Sequence, residues 1–332
     1  MPSLSATSKP QIPSGVNMEL VQMLLPHLEP TLKRTSSSPL LPKVQVAVFI
    51  SAVSDQGGFF DVARRFRISF RLVAPTVLEV STAINSVFTF PKLSQQRLRE
   101  VARHFEEKTT FPRLAGYLGF WNGFTLLCDV DGQVLAVNEQ VSYGLKEAMF
   151  WARIRRERGK LSFTETAEKF QELLPPPEPL DPDSSKDLVG FRFATIFQER
   201  RHPLFYIPYY TGWRSDVTEK NAAFQSILLG VLKTQANFLC QLEEMFPFKD
   251  KEIPRQSFRE VVCSCLHLYN LMKRFPRCMN PRAGRSRSDL LPPGYFERTI
   301  DPERDQIANY FYQKAYVGVC WSAFEALLPC CV

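Results

Sequence analysis

Residues 105–138 read FEEKTTFPRLAGYLGFWNGFTLLCDVDGQVLAVN, and the period of the chain changes inside them. LAGYLGF, FTLLCDV and QVLAVN are apolar runs rich in Val, Leu and Phe. Gly, Asn and Asp bound these runs, as they bound buried strands. Asp131-Gly132 fits a tight hairpin turn between the second and the third.

Helical patterns flank this core. Residues 94–109 (SQQRLREVARHFEEKT) form a helix capped by Ser94, and residues 144–172 return to helix. LLPPPEPLDPDSSKD at 173–187 reads as an extended surface loop, and VGFRFATIF at 189–197 as a further strand. LFYIPYY at 204–210 is extended and aromatic, and long helices are expected at 218–246 and 255–275. RCMNPRAGRSRSDLLPPG is a loop before a final amphipathic helix over roughly 302–328.

Upstream, residues 1–16 are Ser/Pro-rich and expected to be disordered. Residues 17–33 show helical spacing that Pro26 should interrupt, and TSSSP at 35–39 reads as a linker. KVQVAVFISAVS, a DQGG turn and FFDVARRFRIS then lead to FRLVAPTVLEVSTAINSVF, with Ser69 as the expected cap of that last helix. Three short helices around a tight turn resemble a helix-turn-helix unit. Arg64, Arg65, Arg67 and Arg71 are its candidate phosphate contacts. Base reading by the third helix is disfavoured. Pro75 sits early in it, and its first turns carry only Arg71 as a long polar donor.

The resulting divisions are 1–41, a mostly disordered segment with a short helix; 42–92, the helix-turn-helix-like unit; 93–275, the main domain; and 276–332, a basic loop and helix. Strands alternating with helices make the fold class α/β.

Bulk properties narrow the function classes. The chain has 332 residues, of which 45% are hydrophobic and 23% charged, ordinary values for a globular protein. Lys+Arg number 41 against 34 Asp+Glu, a net charge of +7 that suits a polyanionic partner without requiring one. No apolar run is long enough to cross a membrane, so no membrane role is expected. MPSLSATSKPQIPSG lacks the pattern of a secretory signal, so the eight cysteines are expected to be thiols. No nucleophile elbow, P-loop or dinucleotide fingerprint occurs.

Several phrases share the order of motifs in the PIF/Harbinger superfamily of transposases and their domesticated relatives. They are Phe105…Lys108…Phe111-Pro112…Gly116, Cys128-Asp129-x-Asp131-Gly132, Pro203-Leu204…Pro208-Tyr209, Gly230-x-Leu232-Lys233 and Cys265-Leu266-His267-x-Tyr269-Asn270. Over residues 40–275 the chain resembles that superfamily. The resemblance implies an RNase H-like nuclease domain in which an Asp-Asp-Glu triad holds two Mg²⁺ ions about 4 Å apart. The matching positions here are Gly119, Glu199 and Ser226. Glycine has no ligand atom, and a neutral hydroxyl does not replace a carboxylate on a hard cation. The spacings from the first strand to CDVDG and from Glu199 to Ser226 are also shorter than the superfamily's. The domain is therefore expected to be a degenerate, catalytically inactive RNase H-like domain without metal or cofactor.

Other constellations are weaker. Asp129 and Asp131 share a strand face at i and i+2, but the plain reading gives Asp131 to the turn and leaves Asp129 solvated. Cys263 and His267 share a helix face, and no second ligand pair of zinc-site spacing follows. Two basic clusters remain. The first holds Arg153, Arg155, Arg156, Arg158 and Lys160, and the second Lys273, Arg274, Arg277, Arg282, Arg285 and Arg287. Both suit phosphate binding or nuclear import. The expected function is that of a transposase-derived nuclear binding or scaffold protein. DNA is one expected partner, and relatives in the superfamily imply a Myb-like DNA-binding protein as another. The alternatives are a protein-interaction module with no nucleic-acid role and a metal-dependent nuclease with relocated carboxylates.

Overall fold

The computed structural model describes residues 12–14, 17–122, 124–139, 174–176, 194–197, 227, 230–231, 237–248, 253 and 255–275. Helix α1 spans Met18–Thr35, and the Asn17 side chain caps it by accepting from the Leu20 N–H at 3.0 Å. The interruption expected at Pro26 does not occur, because α1 runs through both Pro26 and Pro30. Each proline costs about 3 kcal/mol in a helix interior. Both lie on the exposed face, where water reaches the carbonyls they leave unbonded. On the opposite face Leu20, Val21, Leu24, Leu28 and Leu32 are buried. At about 1.5–3 kcal/mol per aliphatic side chain, that burial outweighs the prolines.

Helix α2 (Pro42–Ser54) is buried continuously from Val44 to Val53. A helix apolar all round must be surrounded, and α1, α3 (Phe59–Phe66) and α4 (Phe70–Val87) enclose it. Ser69 stands at the N-cap of α4 but makes no capping bond with its side chain, contrary to expectation. The α3–α4 turn closes instead through α3. Arg67 adopts left-handed geometry (φ 54°, ψ 42°), and the Ile68 N–H returns to the Ala63 carbonyl at 3.0 Å. Helix α5 (Gln95–Thr109) does start on its predicted cap, with Ser94 Oγ accepting from the Arg97 N–H at 3.1 Å.

The strands are β1 (Leu114–Trp121), β2 (Phe124–Cys128), β3 (Val134–Glu139) and β4 (Ala194–Phe197), in the order β3-β2-β1-β4. Tyr117 pairs with Cys128 and Trp121 with Phe124, so two residues separate the paired ends of the first hairpin. Asn122 takes the positive φ of 50° that such a turn demands. β2 and β3 are antiparallel, with a register shift between Leu127 and Cys128. β4 lies parallel to β1, from Leu114 opposite Ala194 to Leu118 opposite Phe197. The described part is thus a mixed sheet with helices, with much of the expected helical remainder lying outside the described residues.

Helix α6 (Arg255–Arg274) joins the helical unit to the sheet by packing on α4 and β3. Asn85 of α4 donates to the Glu260 carbonyl at 2.9 Å and to its carboxylate at 2.7 Å. Ser264 Oγ donates to Ser81 Oγ at 3.1 Å. His267 stacks on Phe90 with ring centroids 4.0 Å apart. Asn270 accepts from the Val134 N–H at 2.9 Å and donates to the Val134 carbonyl at 2.8 Å. A single set of buried residues runs from Leu20 in α1 to Met272 in α6.

Two predictions follow from α6. Asn270→Ala leaves the buried Val134 N–H and carbonyl unpaired, at about 1–3 kcal/mol each. Urea unfolding should show a loss of roughly 2–5 kcal/mol with an unchanged m-value. The second concerns pH. Burial pushes the His267 imidazole down to about 4. The unfolded chain therefore takes up the proton first, and the stability that neutral His267 contributes above pH ~6.5 is lost as pH falls from there through about 4. The wild type should lose about 3 kcal/mol over that window beyond His267→Phe, which keeps a ring against Phe90 and cannot titrate.

Candidate nucleic-acid interface

Of the three triad positions, Gly119 lies within the described residues, and Glu199 and Ser226 lie outside them. Gly119 is buried near the far end of β1, opposite Leu126 on β2. A Cβ on Gly119 would come within 3.0 Å of Leu239 Cδ2. Leu239 belongs to a helical segment, residues 237–245, laid across the strand. An apolar side chain therefore fills the space a carboxylate at 119 would need, and a charge there would be desolvated without a partner. Among the described residues no group of three His, Cys, Asp or Glu side chains converges to hold a metal ion.

The roles expected for Asp129 and Asp131 are exchanged. Asp129, with only 9% of its surface exposed, organises the turn. Its Oδ1 accepts from the Asp131 N–H at 3.0 Å and the Gln133 N–H at 2.8 Å. Burial raises its carboxyl from the ordinary range, and the backbone donor at Gln133 opposes the rise. Asp131 is the solvated one. It accepts from His104 Nε2 at 3.0 Å and pairs with Lys108. Partial burial would raise its carboxyl, but bonds from Lys108 and His104 prevail and hold it low. The pair faces two different ways because an Asx-turn needs the carboxylate two residues ahead of the turn's N–H.

Behind this turn lies an aromatic wall. Tyr117 meets Phe238 with centroids at 5.8 Å, and Phe238 meets Tyr269 at 5.3 Å. Burial pushes the Tyr117 and Tyr269 hydroxyls and the Cys128 thiol up, so all three stay neutral. Lys273 sits over the Tyr269 ring at 5.5 Å. Burial lowers its ammonium, and the carboxylates of Asp131 and Asp129 oppose that only in part. Lys273, expected among the phosphate contacts, is thus held at the sheet end, whereas its neighbour Arg274 is exposed.

The helix-turn-helix-like unit presents a different surface. Helix α4 packs on α1, α2, α3 and α6, burying Val73, Thr76, Val77, Val80, Ser81, Ala83 and Ile84. The stripe that α4 leaves exposed, Arg71, Pro75, Thr82 and Ser86, offers base edges only one long donor. The first turn of α4 reaches solvent beside the end of α3. Arg64, Arg65, Arg67 and Arg71 are all exposed there. Arg64 pairs with Asp61 at 3.2 Å and Arg65 with Asp55, whereas Arg67 and Arg71 form no ion pair among the described residues. Between them stand Phe60, 69% exposed, and Phe70, 44% exposed, with ring centroids 6.4 Å apart. The sequence reading missed this aromatic pair. Its signal was available, because Phe60 falls off the stripe Phe59, Val62, Ala63, Phe66 that α3 buries.

Arg153, Arg155, Arg156, Arg158, Lys160, Arg277, Arg282, Arg285 and Arg287 lie outside the described residues. Of the two residues weighed for zinc, His267 is buried and stacked on Phe90, whereas Cys263 is half-buried. No protein-family model matches the chain, and neither a curated protein nor a solved structure shows a significant similarity to it.

The packing at β1 yields a prediction. Gly119→Asp, which restores the carboxylate of the resembled triad, should destabilise the protein by about 1–3 kcal/mol by pressing a desolvated charge on Leu239. Thermal unfolding with and without millimolar Mg²⁺ measures it, and the ion should restore none of the loss.

Proposed function

We propose that this protein is a transposase-derived binding protein of the PIF/Harbinger type that has lost its nuclease chemistry and acts in the nucleus through DNA and protein contacts. The filled space at Gly119 supports the loss of chemistry, since a two-metal centre needs a carboxylate on that strand. A meander of three antiparallel strands with a fourth laid parallel to the first fits an RNase H-like core. The motif ending in His267-x-Tyr269-Asn270 serves packing, as it would in a domain kept for its shape.

One observation carries the DNA contact: Arg64, Arg65, Arg67 and Arg71 are exposed together at the α3–α4 corner, and two of them lack a counter-ion among the described residues. Such a corner contacts phosphates rather than bases, because beyond Arg71 the exposed stripe of α4 holds Pro75, Thr82 and Ser86 and no long donor. Arg274 and the cluster Arg277, Arg282, Arg285 and Arg287 extend the same chemistry, as do Arg153, Arg155 and Arg156. Titrating fluorescent duplex DNA over a salt series tests the corner. Replacing Arg64, Arg67 and Arg71 with Ala should weaken binding to all sequences alike and reduce the log–log salt slope by about 2–3. An unchanged slope would remove the corner from the interface.

A second reading, a protein-interaction module with no nucleic-acid role, is favoured by the exposed Phe60–Phe70 pair. Aromatic rings flanked by arginines are frequent anchors at protein interfaces. A Myb-like DNA-binding protein is the partner the resemblance implies. Absence of any duplex binding by the wild type at low salt would favour this reading.

A further inference from the structure

The Ser-rich stretch 35–39, expected to be a plain linker, is clasped to the body of the protein. Ser36 Oγ donates to Glu79 Oε2 at 2.5 Å. Ser37 gives Glu79 Oε1 two bonds, from its N–H at 3.1 Å and its hydroxyl at 2.9 Å. Gln45, buried in α2, donates to Ser36 Oγ at 2.8 Å and to the Leu40 carbonyl at 3.0 Å. Ser36 Oγ also accepts from the Ser38 N–H at 3.1 Å. One carboxylate on α4 thus fixes the exit of α1 and the entry of α2. With α1 packed on both α2 and α4, this clasp closes the apolar seam that Leu24, Leu28 and Leu32 fill.

We propose that Ser37 is a phosphorylation site and that its modification opens this clasp. Ser37 is exposed, its backbone lies outside any helix, and Arg34 precedes it by three residues, the arrangement that arginine-directed protein kinases accept. In the transfer, Ser37 Oγ bonds to the γ-phosphorus of ATP, the bond from that phosphorus to the β-bridging oxygen breaks, ADP leaves, and the hydroxyl proton passes to the kinase's base. The product has lost the hydroxyl donor to Glu79 and sets a charge of about −1.5 to −2 against the Glu79 carboxylate. It also sits just beyond the last turn of α1, whose carbonyl end repels anions. Arg34 and Lys33 in that turn offer the phosphate a different partner, with Lys33 already paired to Glu29 at 2.7 Å. The phosphate therefore exchanges Glu79 for the basic turn, and the clasp between the exit of α1 and α4 is reduced to the Ser36 bond.

The test uses the full chain with ATP, Mg²⁺ and an arginine-directed kinase. Peptide mass spectrometry should place one phosphate on Ser37, absent from Ser37→Ala. Hydrogen exchange should then be about tenfold faster for α1 and for the first turn of α2 in the phosphorylated form, with the sheet unchanged. In a Glu79→Gln background the same phosphate meets a carboxamide that can donate to it, and the acceleration should disappear. Failure of the kinase to modify Ser37, or modification with unchanged exchange, overturns the proposal. So does equal acceleration in the Glu79→Gln background.

Discussion

Val134 opens β3, and among the described residues no strand lies beyond it to take the backbone groups that face away from β2. Asn270 supplies what that strand would, a donor and an acceptor on one planar group. The bond pair fixes the C-terminal half of α6 against the sheet. The same helix carries Ser264 and Glu260 to α4 about one and a half to three turns earlier. Because α6 is rigid, the position of the sheet relative to the helical unit follows from these contacts at its two halves. An unpaired amide or carbonyl at Val134 would cost about as much as the bonds gain, so the arrangement is enforced by the penalty as much as by the attraction.

That docking also bears on the site. The helical segment 237–245 lies over the sheet with Phe238 between Tyr117 and Tyr269, and Tyr269 belongs to α6. Once Phe238 is seated there, Leu239 is carried onto Gly119 one residue later. Gly119 and Leu239 thus meet as one apolar contact. A carboxylate placed at 119 would press on Leu239 and lose its water.

Much of this was legible in the sequence, and the failures have definite causes. The strand runs at 114–139 and the helices α2 to α5 follow from period, since burial on one face leaves a periodic trace. Pro26 misled because helix propensity is local, while five buried aliphatic side chains act from outside the helix. Asp129 and Asp131 were exchanged because which carboxylate caps a turn depends on the turn's length, and here the connection between β2 and β3 is longer than two residues. The two-residue hairpin connection is the one between Trp121 and Phe124, where the sequence reads Asn-Gly, rather than at Asp131-Gly132. Gly119 could be seen as a missing ligand from sequence, whereas the leucine that fills its place comes from a segment 120 residues away.

The helix-turn-helix-like unit shows why pattern alone overstates function. FFDVARRFRIS gives the helix and the turn, and the turn forms with Arg67 in a left-handed conformation that glycine would adopt at lower cost. A reading helix, however, must carry base-reading donors along its free face, and beyond Arg71 that face of α4 holds Pro75, Thr82 and Ser86. What stays free is a corner of arginines around two phenylalanines. Guanidinium groups at a corner can meet successive phosphates but cannot follow base edges along a groove. Any sequence preference would therefore have to come from DNA shape or from a protein partner seated on Phe60 and Phe70.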